Sequence, residues 1–430
     1  MAKVNGASGF KETEIGYFPR EWEVVRVGDL ADVKYGKANP RSEGTVPVVG
    51  SGGIFAWTDE PLVEFPTLVV GRKGTAGKVW LLEGPSFPSD TAFYLVWKRE
   101  VDLHYLHGCM SLRPLSGEHA KTTLPSLQRP DLENYLVPLP PLPEQRGIAH
   151  VLSTIQRAMA AQDAVIAAAR EVKRSLMQRL FTYGPYADSL PTRETEIGEV
   201  PEHWQVVKLG DVTESSAFGP RFSGSLYDED GNVAVLRTTD LDASGNINFD
   251  TMPRARIESK MIENHALLPG DFLVTRSGTC GIAAVFTSYL LPVLPGAFLI
   301  RFRLKSEAIP LFLREYFNSA RGQVRVSLLA AGAVQKNISG TSLLKFAIPL
   351  PPLSEQRNIA ESLDTTNRKI AVEERRKSAL QALFKSMLHE LMTGKVRVAQ
   401  HGYTDGESRI RVIRAESVSC KPCSSLCCMN

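Results

Sequence analysis

Lys11–Gly16 reads KETEIG, and Arg193–Gly198 reads RETEIG. In the first copy Pro19, Trp22, Val24, Val25, Gly28 and Asp29 follow; in the second Pro201, Trp204, Val206, Val207, Gly210 and Asp211 follow, each shifted by 182 positions. A second block, PLPPL over Pro138–Leu142 with Glu144, Gln145, Arg146, Ile148 and Ala149, recurs over Pro349–Leu353 with Glu355, Gln356, Arg357, Ile359 and Ala360, shifted by 211. The two offsets are unequal, so the copies differ in length between the blocks. The shared blocks therefore read as scaffold, and the middles as the parts adapted to different ligands. A period of about 200 residues is far too long for a solenoid, which leaves two copies of a domain-plus-helix unit.

After each PLPPL run the apolar period becomes helical. Ile148, Leu152, Ile155, Met159, Ile166, Val172, Leu176 and Leu180 step by three or four with few gaps, as do Ile359, Leu363, Ile370, Leu380, Leu383, Met387 and Leu391. Sustained over about five heptads, this spacing predicts a coiled-coil seam. A run of about 38 residues makes a rod of roughly 55 Å. Pro141, Pro143, Pro351 and Pro352 hold the chain extended before each rod, while Gly184, Pro185 and Gly394 stop it. Gln162 and Glu373 occupy equivalent places near mid-helix, either as a polar layer that fixes register or as solvated side chains. Between the blocks, Thr67–Val70, Phe93–Trp97, Phe272–Thr275 and Phe298–Phe302 have strand composition. Alternating short strands and loops predict an α/β or α+β fold for each globular part. The domain bounds that follow are 1–143 and 185–354 for the globular parts, 144–184 and 355–395 for the helices, and 396–430 for a polar tail expected to be disordered.

The chain of 430 residues is 43% hydrophobic and 23% charged, with a net charge of +3. That balance is ordinary for a globular protein and gives no bulk case for nucleic acid, which depends on local clustering of Lys and Arg. No apolar run reaches the roughly 20 residues of a membrane helix, and the N-terminus lacks a signal-peptide pattern. Six cysteines, four of them at Cys420, Cys423, Cys427 and Cys428, do not make a disulfide framework. These features predict a cytoplasmic protein.

Arg72–Gly77 (RKGTAG) aligns with Arg276–Gly281 (RSGTCG). A cation and a Gly-Thr turn after a strand suit a phosphate, although such a turn can also simply close a strand pair. A P-loop is excluded: the spacing from Gly71 to Lys78 is one too long, and Val79 stands where Ser or Thr would hold magnesium. Arg72, Lys73, Thr75 and Lys78 in the first copy, and Arg276, Ser277 and Thr279 in the second, are the candidate contacts of this turn. The loops add Lys34, Tyr35, Lys37, Arg41 and Ser51, and then Arg221, Tyr227, Arg237, Thr238, Thr239, Gln335, Lys336 and Asn337. These are the residue types that bond to bases and phosphates, and as sets they fit a DNA face. His104, His107 and Cys109 lack a second ligand pair, so no metal site is expected. Pro130–Glu133 resembles the start of a nuclease acid pair, but Asn134 stands where a lysine is required. No methyltransferase, Walker A or hydrolase signature is present, so no catalytic residue is assigned.

The paired ETEIG-x-x-P-x-x-W-x-x-V segments, the PLPPL-x-EQR-x-IA helix starts, and QKNIS over Gln335–Ser339 with PGD over Pro269–Asp271 resemble the specificity subunits of type I restriction-modification enzymes. The resemblance covers residues 11–396, with Ser126–Arg129 (SLQR) departing from Asn337–Ser339 (NIS). It implies two target-recognition domains related by a pseudo-two-fold and separated by helices that pair as an antiparallel coiled coil. It also implies a non-catalytic reader of a bipartite, asymmetric double-stranded DNA site. The helices would set the spacer and dock two methyltransferase subunits, with restriction subunits in the full complex. S-adenosylmethionine, ATP and Mg²⁺ would belong to those partners, with no cofactor in this chain. Two other classes compete: a two-headed protein scaffold that never touches DNA, and a restriction-enzyme remnant with its own catalysis.

Overall fold

The two blocks that repeat in the sequence are hydrogen-bonded neighbours in each copy. Glu23–Arg26 pairs antiparallel with Leu136–Leu139, and Gln205–Lys208 pairs in the same way with Ala347–Leu350. The buried Trp22 indole donates to Glu144 Oε2 at 3.0 Å, and the Trp204 indole to Glu355 Oε2 at 2.8 Å. Gln145 accepts from the Asp102 amide and Gln356 from the Ile309 amide, at 3.0 and 2.8 Å. Asp29 and Asp211 take the amides of Arg26 and Lys208 at the next turn. The repeated residues thus form one hydrogen-bonded joint, written twice.

The computed structural model describes residues 9–40, 43–113, 115, 126–186, 190–329, 337–400 and 410–414, with backbone alone at 399–400 and 410–414. The chain divides into two compact units, one of residues 1–162 and 376–430, the other of residues 163–375. In the first, Ala31–Tyr35, Ala92–Trp97, Thr67–Gly71 and Val79–Leu82 form a four-stranded antiparallel sheet in that spatial order. In the second, Thr213–Phe218, Leu299–Leu304, Phe272–Thr275 and Ala283–Val285 repeat it. Each unit also has a three-stranded sheet with one parallel pair, centred on Val46–Gly50 or on Val233–Leu236. Thr67–Gly71 and Phe272–Thr275 are buried along their whole length, as uninterrupted apolar runs require. The fold is α/β in both copies.

Two long helices, Leu142–Tyr183 and Leu353–Met392, contribute to both units. In the first unit Ile148 and Leu152, near the start of one helix, share a core with Leu391 and Met392 at the end of the other. In the second unit Met177, Leu180 and Phe181 share a core with Ile359, Ala360 and Leu363. Within each unit the helices therefore run antiparallel. Ile370 is buried, and Ile155, Leu176 and Leu380 are half-buried. Val172 and Leu383 depart from the periodic expectation: they are 61% and 47% exposed, because a period of 3.6 drifts off a straight seam. Gln162 is buried and Glu373 half-buried. Gly184 and Gly394 end the helices with φ of +79° and +68°, the left-handed stop that glycine adopts without strain.

The tail does not begin as disordered chain. Val396–Gln400 is a strand paired with Ile410–Arg414, and the side chains of Val396 and Val398 join the first unit's core. Between them Arg397 clasps Glu144 through Nε and Nη2 at 2.6 and 2.9 Å. Alternation of apolar and basic residues at 396–398 is a strand period that the polar composition of the whole tail obscures. The cysteines at 420, 423, 427 and 428 lie outside the described residues.

Candidate nucleic-acid interface

The Gly-Thr turns are the hairpin connections of the four-stranded sheets. Gly77 N donates to Gly71 O and Gly281 N to Thr275 O, each at 2.8 Å. Gly74, Gly77, Gly278 and Gly281 all have φ between +76° and +88°, so both copies need the same glycine positions. The turns close strand pairs. What they carry is the arginine that precedes them.

Arg72 lies 5.0 Å from the centroid of the Tyr35 ring, and Arg276 lies 4.8 Å from that of Phe218. Tyr35 and Phe218 end the corresponding edge strands and are 47% and 46% exposed. The same cation-on-ring arrangement thus stands at the same place in both copies, although the surrounding residues differ. A guanidinium seated over an aromatic face is restrained in position while keeping N–H donors for an acceptor. Residue 126 bridges to Lys73 and residue 337 to Ser277, so Ser126 and Asn337 are structural equivalents. Asn337 Oδ1 accepts from Arg276 Nε at 3.1 Å, and Arg72 Nη1 instead donates to Asp90 O at 3.2 Å. The departure in sequence at Ser126 is therefore a change in how one arginine is steadied.

In the first unit Ser51 sits beside this turn. Its carbonyl accepts from the Trp80 indole at 3.4 Å, and Lys78 Nζ lies 4.1 Å from that ring's centroid. Lys37 pairs with Ser89, whose hydroxyl meets that of Thr91, while Lys73 and Thr75 are exposed at the tip. Lys34 does not join the group. It faces Asp32 at 3.6 Å, with Lys98, because alternate strand residues take opposite faces and Tyr35 owns the other one. Arg41, Gln335 and Lys336 lie outside the described residues.

In the second unit a cleft of about 610 Å³ gathers Arg221, Tyr227, Arg237, Thr238, Thr239 and Phe298. Five of these six are loop residues singled out from sequence. The missed residue of consequence is Asp240, 1% exposed, whose carboxylate accepts from Arg237 Nε and Nη2 at 3.1 and 2.8 Å. That bond keeps the Arg237 guanidinium more firmly charged than an ordinary arginine. Asp240 also accepts from the Arg237 amide and the Thr251 hydroxyl. The only sequence signal for it is the spacing of an acid three residues after Arg237, which suits a turn cap as well as a clamp. Thr279 is exposed at its turn, and its carbonyl accepts from the Thr275 hydroxyl.

Other sequence motifs resolve as structure. His104 pairs with Glu83, His107 meets the Val79 carbonyl, and burial pushes the Cys109 thiol up to about 12. Among the described residues no group of His, Cys, Asp and Glu could hold a metal, and no helix is long and apolar enough to cross a membrane. Asp131 caps the Gln128 amide, and Arg129 pairs with Glu133.

Residues 19–167 and 201–382 match the family described as the type I restriction modification DNA specificity domain. The chain is 29% identical over 431 residues to the type I restriction enzyme MjaVIII specificity subunit of Methanocaldococcus jannaschii, covering 90% of this chain and 96% of that one. It is 23% identical over 270 residues to the EcoKI specificity subunit of Escherichia coli, covering 61% and 57%. The fold resembles the type I restriction-modification S subunit from M. genitalium with a TM-score of 0.59 and 16% identity, covering 86% and 96% of the two chains.

Proposed function

Because the chain belongs to the family of type I restriction modification DNA specificity domains and carries the domain twice, we propose that each unit reads one half of a bipartite, asymmetric DNA site. The observation that carries this is the pairing of Arg72 on Tyr35 with Arg276 on Phe218, one fixed cation per unit at the same turn, set among unlike loops. A shared frame with different loops suits two different half-sites. Phosphates would be met by the cations of the turns, and base edges by the loop residues. The chain does no chemistry itself. Two methyltransferase subunits supply S-adenosylmethionine and the reaction, restriction subunits supply ATP- and Mg²⁺-dependent cleavage, and the two helices set the unspecified spacer while docking the methyltransferases. The complex works in the cytoplasm.

The test is to exchange the loops between the repeated blocks of one unit for those of a relative with another specificity, and to sequence the methylome of a host expressing the complex. One half of the methylated motif should change and the other should stay. A change in both halves, or in neither, overturns the modular reading. A complex with its methyltransferase whose DNA affinity does not fall with salt would instead favour a scaffold without DNA contact.

A further inference from the structure

The central strands of the two three-stranded sheets share one pairing register. Val49 pairs with Pro88 as Leu236 pairs with Pro295, both in parallel. The next residue along each strand is Gly50 in one unit and Arg237 in the other. Gly50 carries no side chain, and a Cβ there would lie 3.0 Å from Thr91 Oγ1 and 3.1 Å from the Phe55 ring, close enough that those side chains would have to give way. The place of the arginine is thus taken by hydroxyls and an exposed aromatic in the first unit. One frame position carries a cation in one copy and neutral groups in the other.

Arg237 is also built to hold still. Asp240, itself buried, takes Nε and Nη2, and the Thr251 carbonyl takes Nη2 again at 2.7 Å. The Nη1 amino group has no acceptor among the described residues. The guanidinium side chain is 43% exposed and opens on the cleft flanked by Tyr227 and Phe298, which contains no carboxylate in its lining. A cation whose geometry is fixed from behind discriminates by position, whereas a mobile surface lysine meets any phosphate.

We infer that residue 50/237 is a specificity-determining position of the frame, that Arg237 reads an acceptor-bearing base edge in the second unit's half-site, and that Asp240 is its positioning residue. Guanine is the base that presents two acceptors, O6 and N7, in the major groove. The first unit, with Gly50, makes no charged contact at the matching place. This rests on the reading of the chain as a DNA-specificity subunit.

The experiment is methylome sequencing of hosts expressing the whole complex with the wild-type chain, R237A, R237K or D240N. With R237A, preference for one guanine in one half-site falls by about ten-fold or more, and every other position stays as in wild type. R237K keeps the charge but loses the Nε and Nη2 donors that Asp240 and the Thr251 carbonyl hold, so the cation is no longer fixed and the same position relaxes. D240N keeps one acceptor oxygen but sets an amide NH2 against donors of Arg237 or Thr251, so it loosens the clamp and also relaxes that position alone. A uniform loss of methylation with an unchanged motif in R237A and R237K overturns the inference, because that is the signature of a phosphate contact or of a fold defect. Relaxation in the other half-site overturns it as well. If the wild-type complex yields no bipartite motif, the functional reading itself has failed; a bipartite wild-type motif that R237A leaves intact removes only this inference.

Discussion

Replacing Glu144 by alanine should open the first unit, and Cys109 can report it. Glu144 accepts from the Trp22 indole at 3.0 Å and from Arg397 Nε and Nη2 at 2.6 and 2.9 Å. Trp22 is fully buried, so an orphaned indole N–H costs about 1–3 kcal/mol. The Arg397 side chain is 29% exposed, so water takes over much of its solvation, and its loss is nearer 1 kcal/mol than the 3–5 kcal/mol of a fully buried pair. Together the change is about 2–4 kcal/mol. Cys109 is buried in the core beside this joint, and its thiol is held neutral up to about 12. It can react with iodoacetamide at pH 8 only when the unit opens.

Where closing is faster than alkylation, the rate follows the open population. A loss of 2–4 kcal/mol then raises the Cys109 rate by about 30- to 1000-fold, read peptide by peptide by mass spectrometry. Glu144→Gln keeps an acceptor for Trp22 but sets its amide NH2 against Arg397 Nε, so its rate should lie between those of wild type and Glu144→Ala. In concentrated urea all variants should react alike. A Cys109 rate in Glu144→Ala within about five-fold of wild type would show that the joint does not hold the unit together.

Burial pushes both Cys109 and Tyr135 up to about 12, so the folded state keeps protons that the unfolded chain releases. Stability is then fully present below about pH 8 and falls as pH rises toward 12, and the urea midpoint of the first unit at pH 10 should lie below that at pH 8. Arg72→Ala or Arg276→Ala in the assembled complex should weaken DNA binding and lower the slope of log affinity against log salt by about one, if each holds a phosphate; an unchanged slope assigns the arginine to a base instead. Gly245→Ala should cost about 2 kcal/mol or more by thermal unfolding, because φ is +76° and the new Cβ would sit 1.8 Å from the Ala283 carbonyl oxygen, while Gly84→Ala, with open space around it, should be close to neutral.

The frame was legible because each of its parts is a strong local signal. PLPPL forces an extended lead-in, the apolar steps after it force a helix, and a repeat shows which residues are bound by one common geometry. What joins them was not legible. Trp22 and Glu144 stand 122 positions apart, and nothing in either segment names the other as its partner. The candidate interface divides along the same line. Arg72 and Arg276 are legible because both copies keep a cation before the turn, and Tyr35 is legible as a candidate contact, but Phe218 and the seating of either arginine on its ring are not, since the partners meet only across a folded sheet. Lys34 reads from sequence as one basic loop residue among several, and a one-residue step along a strand places it on the face opposite Tyr35, beside Asp32.

The two copies also differ where the domain meets its helices, and this says how a duplicated protein keeps its halves in order. Asp102 and Ile309 mark equivalent places, since each amide is held by the glutamine of its helix start. Six residues further on stand Gly108 and Glu315. A Cβ at Gly108 would lie 2.8 Å from Met392 and 3.5 Å from Leu388, so this joint is apolar and tight. Glu315 is 1% exposed and is held by Arg314, Asn367 and Lys173, the last at 3.7 Å. Exchanging the two residues would put a carboxylate among methionine and leucine on one side and strand a lysine on the other. A helix segment that settled against the wrong domain would meet that same mismatch, at a cost of about 3–5 kcal/mol for a buried charge left unpaired. The shared frame fixes the geometry of both units, and the unlike residues at this position make the correct assignment of helix to domain the stable one.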